Sequence, residues 1–197
     1  MKKRIIIVGY PKSGTVWVTR LISGLLDAPI VGFWKEPNNA NLIEHLERKS
    51  KFEVYHSHHS YDELKKDINH DFDKIIYVVR DPRDIVISAG HFFPLNRFNK
   101  LKKIFSYFTG GNKLYRTIFE KSNYRNKKFI EAILYGNKFI HPWLSISWAQ
   151  HILPYINNNI FLIQYENLYK NTFQEMKKIN NYLGADKKDH CQRRSSG

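Results

Sequence analysis

Short runs of aliphatic and β-branched residues alternate along this chain with stretches whose apolar positions return every three or four residues. Residues 4–9, RIIIVG, predict a strand buried on both faces. A turn, YPKSG, follows at once, and then TVWVTRLISGLLD, in which Val16, Leu21, Ile22, Leu25 and Leu26 recur at helical spacing. FEVYHSHH, residues 52–59, predicts a second strand leading into a polar helix from Asp62. KIIYVVR, residues 74–80, predicts a third. It meets Asp81-Pro82, an N-cap residue with proline at the first helical position, which opens a helix through RDIVISAGHFF. NIFLIQ, residues 159–164, reads as a fourth buried strand, followed by the helix YENLYKNTFQEMKKINNYLG, stopped by Gly184.

Strands alternating with helices predict parallel βαβ units in a three-layer α/β domain, with a central, mainly parallel sheet of four to five strands flanked by helices. At 197 residues one domain is expected, covering 1–197. Ligands in such folds sit beyond the carboxyl ends of the strands.

Composition narrows the class. With 42% hydrophobic and 15% aromatic residues the chain can bury a core, which excludes disorder, collagen-like repeats and coiled coil as descriptions of the whole. The 32 Lys and Arg against 18 Asp and Glu leave a net charge of +14, which points to polyanionic partners without choosing among them. The charge is uneven. Residues 94–140 hold eleven Lys or Arg against Glu120 and Glu131, interleaved with ten aromatics that include Phe98, Phe105, Tyr107, Phe108, Tyr115 and Phe119. This segment reads as a basic, aromatic, helical insertion: a solvated surface, an acceptor-side lid, or a contact for an acidic substrate or a membrane. The single cysteine, Cys191, cannot form an intrachain disulfide and fits a reducing compartment. The apolar run of MKKRIIIVG is too short for a signal peptide, and Arg20 and Asp27 break the apolar stretch 14–34. A soluble, cytoplasmic protein is expected.

Chemistry enters with GYPKSGTVW, residues 9–17, set between the first strand and the first helix. Gly9 and Gly14 let backbone N–H groups turn inward, and the helix N-terminus beyond adds a field favourable to an anion. The spacing is that of the nucleotide-triphosphatase loop GxxxxGK[ST], so the arrangement is P-loop-like. Thr15, however, stands where the lysine belongs and Val16 where the magnesium-binding hydroxyl belongs. The one lysine, Lys12, has moved to the apex. Such a loop can hold a phosphate without a metal and suits transfer of a group whose leaving charge the lysine neutralises.

PKSGTVW closely resembles the PKSGTTW loop that grips the 5′-phosphosulfate of PAPS (3′-phosphoadenosine 5′-phosphosulfate) in the sulfotransferase family. The family's second signature, an arginine at a strand end and a serine one helix later that hold the donor's 3′-phosphate, looks like RDPRDIVIS, with Arg80 and Ser88 matching. The resemblance implies a metal-independent, PAPS-using sulfotransferase. Lys12, Ser13, Gly14, Thr15 and Val16 would hold the 5′-phosphate, Trp17 and Tyr165 would lie near the adenine, and Lys12 would stabilise the leaving bisphosphate. In VYHSHHSYDEL, His58 falls at the family's catalytic position, His56 replaces the usual lysine and Ser60 the proline often found after it. Neutral His58 would be the general base, with a neighbouring histidine or Glu36 in FWKEPN as rivals. SWAQHILPYINNNIFLIQYENL resembles the family's Tyr-Glu-Asp segment, with Asn167 in place of aspartate. After that helix the family carries a basic, Gly-rich motif, whereas here ADKKDHCQRRSSG follows, with Arg193 and Arg194 the nearest substitutes and the donor-binding segment incomplete.

Other readings stay open: a P-loop small-molecule or nucleotide kinase, a basic binder of nucleic acid or anionic surfaces, and, on the histidine tract, a zinc site short of ligands. The acceptor expected from the resemblance is a hydroxyl-bearing small molecule, lipid or glycan, with nucleic acid a lesser candidate. Neither the acceptor nor the oligomeric state can be read from these residues.

Overall fold

Four consecutive aliphatic residues, Ile5 to Val8, have no solvent exposure, which requires cover on both faces and paired strands on both sides. That is the position they occupy. The computed structural model describes residues 2–35, 42–93 and 122–185. Among them the sheet has five strands in the order β2-β3-β1-β4-β5, every pair parallel: β1 Lys3–Gly9, β2 Ile30–Phe33, β3 Phe52–Ser57, β4 Lys74–Val79 and β5 Phe161–Gln164. Four are the expected strands. The expected strand 52–59 stops at Ser57, so His58 and His59 follow the sheet rather than alternate across it. The fifth, β2, is an edge strand of four residues, irregular between Ile30 and Gly32, where Gly32 has φ 125°. Its shortness and its position just after a helix merge it into the apolar stretch 14–34.

The chain falls into two compact units, residues 1–80 with 154–197, and residues 81–153. In the first, α1 Thr15–Leu26 lays Val18, Ile22 and Leu26 on a core of Ile5, Ile7, Val54, Ile76, Val78 and Ile163. Each such side chain contributes about 1.5–3 kcal/mol on burial. The helix α2 Tyr61–His70 begins one residue before the expected Asp62, with the Glu63 carboxylate accepting from the Ser60 N–H and hydroxyl. The expected single helix 165–184 is two, α6 Tyr165–Lys170 and α7 Thr172–Leu183, separated by Asn171 at φ −132° and ψ 50°. Asn and Thr compete with helical hydrogen bonding through their own side chains, which favours a cap at this point over a continuous helix. Gly184 ends α7 at φ 61°, as expected.

In the second unit, Asp81 caps α3 Pro82–Phe92 by accepting from the Arg83 N–H. Phe93 and Phe129 pack together as α3 meets α4 Ser122–Tyr135. A short 3₁₀ turn, Pro142–Leu144, precedes α5 Trp148–Asn157, whose last residues belong to the first unit. Of the basic segment 94–140, residues 122–140 are described and the remainder lies outside the described residues, as do Glu36, Cys191, Arg193 and Arg194.

Candidate functional site

Sheet register decides which residues meet beyond the carboxyl edge of the first unit. Val8 pairs with Ser57 and Gly9 with Val78, so the chain leaving β1 emerges beside the histidine turn on one side and the end of β4 on the other. Val79 pairs with Gln164, which brings Arg80 and Tyr165 side by side. This is where strand order reverses around β1, the location at which open parallel sheets bind ligands.

The loop itself is tightly built. A Cβ on Gly9 would lie 2.8 Å from the Thr15 methyl and 2.9 Å from the Val78 carbonyl oxygen, so only glycine lets the strand pass this closely. Ser13 N–H donates to the Tyr10 carbonyl across the turn. Lys12, at the apex, holds φ 71°, a left-handed conformation uncommon for a lysine and one that concentrates at ligand-binding turns. Gly14 begins α1 at φ 90°, and no side chain among the described residues caps the helix. Its first N–H groups are therefore left to an anion, as helix termini require a partner.

Two polar atoms beside this loop are buried with no hydrogen-bond partner among the described residues: Ser13 Oγ and Arg80 Nε. Arg80 also donates from Nη1 to the Lys12 carbonyl at 3.1 Å, and its guanidinium lies 4.3 Å from the centre of the Tyr165 ring. Trp17 meets the same ring edge-on at 5.3 Å. Burial, and then the charge of Arg80, push the Lys12 amine below its ordinary value. Two cations drawn together next to orphaned donors form a cradle for a compact, multiply charged anion.

The histidines differ sharply. His58 Nδ1 lies 2.7 Å from the Gly9 carbonyl oxygen. A carbonyl only accepts, so Nδ1 carries the hydrogen and the neutral ring keeps its lone pair on Nε2. His59 Nδ1 is 2.7 Å from Ser57 Oγ, which also accepts the His59 N–H. His56, 4% exposed, packs edge-on against Phe33 at 4.6 Å. Burial pushes its imidazole down to about 4 against a weaker opposing hydrogen bond with the Gly32 backbone.

A family model described as Sulfotransferase domain matches residues 2–195 of this chain. The chain belongs to the sulfotransferase domain family. Curated relatives include mouse Sulfotransferase 2A6, 29% identical over 193 residues covering 92% of this chain and 59% of that protein. Amine sulfotransferase of Oryctolagus cuniculus is 26% identical, covering 92% and 56%. Among solved structures, mouse sulfotransferase SULT7A1 complexed with PAP superimposes with a TM-score of 0.61 at 27% identity, covering 94% of this chain and 60% of that one. The chain thus spans about three fifths of the length of the sulfotransferases it matches.

Within this sulfotransferase domain, Lys12, Ser13, Gly14, Trp17, Arg80 and Tyr165 are gathered around one loop, and His58 is joined to the strand that feeds it. Thr15 is buried, with its methyl toward Gly9, and Val16 is half-buried on the first turn of α1. Ser88 lies half-buried on α3, in the second unit. Among the described residues no three His, Cys, Asp or Glu side chains are grouped to hold a metal, and no described helix is long and apolar enough to cross a membrane. Sequence reasoning overlooked Phe33, whose ring lies 4.6–6.1 Å from all three histidine rings, and the buried tyrosines Tyr77 and Tyr155. Nothing in the spacing of the sequence marks them.

The His56 environment has a measurable consequence. Its folded pKa of about 4 lies below the ordinary 6.5, so between those values the unfolded chain binds the extra proton and stability falls as pH is lowered. Wild type should lose about 2 kcal/mol of unfolding free energy from this group between pH 7 and pH 5. In urea titrations His56→Leu should remove that part of the slope; an equal slope in both proteins would show that His56 does not titrate across the transition.

Proposed function

We propose that this domain transfers the sulfuryl group of PAPS to a hydroxyl-bearing small-molecule acceptor, with His58 as general base and no metal. The observation that carries the reading is the pair of buried, unpartnered donors, Ser13 Oγ and Arg80 Nε, beside Lys12 and the uncapped start of α1. They fit the donor's phosphates: each is a donor facing no acceptor of its own, which is costly unless an anion satisfies it.

The donor supplies an activated sulfuryl group on a phosphosulfate linkage. On the protein side, the backbone N–H groups of Gly14, Thr15 and Val16, with the Ser13 hydroxyl, bind the 5′-phosphate. The Lys12 amine offsets negative charge that grows on the phosphate-side oxygen as the linkage breaks, which is charge stabilisation aimed at the transition state. Arg80 binds the 3′-phosphate through its guanidinium, and Ser88 matches the second position of the family's 3′-phosphate signature in the sequence. Trp17 and Tyr165 provide the aromatic surface for adenine. His58 accepts the acceptor's hydroxyl proton on Nε2, the nitrogen left basic by the Gly9 hydrogen bond. His56 is a poor rival, because its lowered basicity and burial keep it neutral and away from solvent.

Calorimetry with adenosine 3′,5′-bisphosphate tests the donor site. Wild type should bind it equally with and without Mg²⁺, and Arg80→Met should weaken binding about 10–100-fold, the range for losing charged hydrogen bonds. Arg80→Lys should recover only part, since an ammonium neither forks nor stacks on Tyr165. Binding of ATP that depends on Mg²⁺, with none of the bisphosphate, would point to a kinase instead. Labelled PAPS with a panel of phenols, steroid alcohols and sugars then reads transfer directly.

A further inference from the structure

The parallel ladder between β1 and β3 ends at Val8 and Ser57, so no backbone pairing holds His58 against the phosphate loop. Side chains do so at two places. In front, Gly9 accepts from His58 Nδ1. Behind, on the opposite face of the sheet from α1, a relay of tyrosines closes the gap. The Tyr77 hydroxyl hydrogen-bonds the backbone of Tyr10, the residue that follows Gly9. The Tyr77 ring lies 4.5 Å from that of Tyr155 at an interplanar angle of 33°. Finally the Tyr155 hydroxyl donates to the His59 carbonyl at 2.9 Å.

Tyr77 is 1% exposed and Tyr155 fully buried, so neither ring moves without opening the core. A third ring, Tyr61, stands edge-on to Tyr155 at 5.3 Å. Resting on the reading of His58 as base, we infer that Tyr155 is a positioning residue, fixing the His58-His59 turn relative to the phosphate loop through its hydroxyl on His59 and its ring on Tyr77. The Gly9 carbonyl holds the imidazole, and the Phe33 ring packs against it at 5.5 Å. Anchoring the next peptide fixes the backbone that carries the ring and so keeps Nε2 aimed in one direction. A purely structural tyrosine would give stability alone.

Tyr155→Phe keeps the ring and deletes only the hydroxyl, and the full chain can be compared with Tyr77→Phe and Tyr61→Phe. Three readouts are needed: the imidazole NMR signals of His58, assigned by their loss in His58→Gln, the Kd for adenosine 3′,5′-bisphosphate, and kcat. Tyr155→Phe should speed solvent exchange of the His58 Nδ1 hydrogen at least tenfold and lower kcat about tenfold, with the bisphosphate Kd changed less than twofold. Tyr77→Phe, which frees the loop side, should weaken bisphosphate binding more than Tyr155→Phe does, and Tyr61→Phe should match wild type. Unchanged His58 exchange in a folded Tyr155→Phe protein would overturn the inference, as would losses of equal size in all three variants. If the wild-type chain transfers sulfuryl to no acceptor, the functional reading falls by itself, and the exchange measurement still decides the role of Tyr155. Should Tyr155→Phe fail to fold, the split between binding and exchange in Tyr77→Phe decides it.

Discussion

His58→Ala should lower kcat for sulfuryl transfer by about 10²–10⁴-fold, the usual contribution of a positioned general base, while adenosine 3′,5′-bisphosphate binds within about twofold of wild type. The separation follows from where the two atoms of the imidazole point. Nδ1 is committed to the Gly9 carbonyl, and Nε2 holds the lone pair that the acceptor's proton needs. Losing the ring removes the base outright, yet Gly9 stays in place because it is paired with Val78 of β4 and follows Val8, which the sheet holds on both sides. His58 is half-buried, and the bond described for it runs to Gly9 rather than to the Ser13 or Arg80 donors assigned to phosphate. Single-turnover assays with saturating donor would measure the chemical step and calorimetry the binding. Full activity in His58→Ala together with loss in Glu36→Ala would transfer the role to the glutamate; parallel loss of binding and rate in His58→Ala would make His58 a structural support of the loop.

An equally large effect is expected on binding from one methyl group. Gly14→Ala must hold φ near 90°, which costs a non-glycine residue about 1–2 kcal/mol. Its Cβ would also lie 2.5 Å and 2.6 Å from two carbons of the Tyr165 ring. That ring cannot retreat without disturbing the Arg80 guanidinium stacked on it and the edge of Trp17. Overpacking of this kind adds about 1–3 kcal/mol. A loop that shifts to relieve this strain leaves its binding geometry, so bisphosphate binding should weaken about 100-fold or more, and strain left in place should lower the melting temperature by about 2–4 °C per kcal/mol. Adding Tyr165→Ala to Gly14→Ala should relieve the overlap but not the φ strain, recovering part of the lost stability and none of the affinity, because the same ring supports Arg80 and the adenine. Affinity within threefold of wild type in Gly14→Ala would show that the phosphates bind elsewhere.

How much of this was legible beforehand depends on the range of the interaction. RIIIVGYPKSG and Asp81-Pro82 announce their elements because strand burial and helix capping are local, written in neighbouring residues. The two helices around Asn171 and the short strand Ile30–Phe33 were not separated from their surroundings, since one cap residue and one irregular glycine carry little signal against longer apolar patterns. Candidate residues on the loop, the arginine and the histidine could be named from motifs. Their roles could not be ranked. Only three-dimensional register shows that Val79 opposite Gln164 stacks Arg80 on Tyr165, or that Gly9 selects the tautomer of His58. Tyr77 and Tyr155 stand far apart in the chain, and their ring contact is a product of sheet order that no periodicity reveals.

The central position of β1 also sets a timetable for the ribosome. Its hydrogen-bonding neighbours are β3 and β4, so one edge of β1 waits for Ser57 and the other stays unpaired until Val79 has been synthesised, roughly seventy residues later. At about 5–20 residues per second that is a delay of roughly 4–14 s for Ile5 to Val8, a short, uncharged, β-branched segment of the kind most prone to pair with a second nascent chain. Lys2, Lys3 and Arg4 immediately precede it, and their repulsion between neighbouring chains serves as the gatekeeper for that interval.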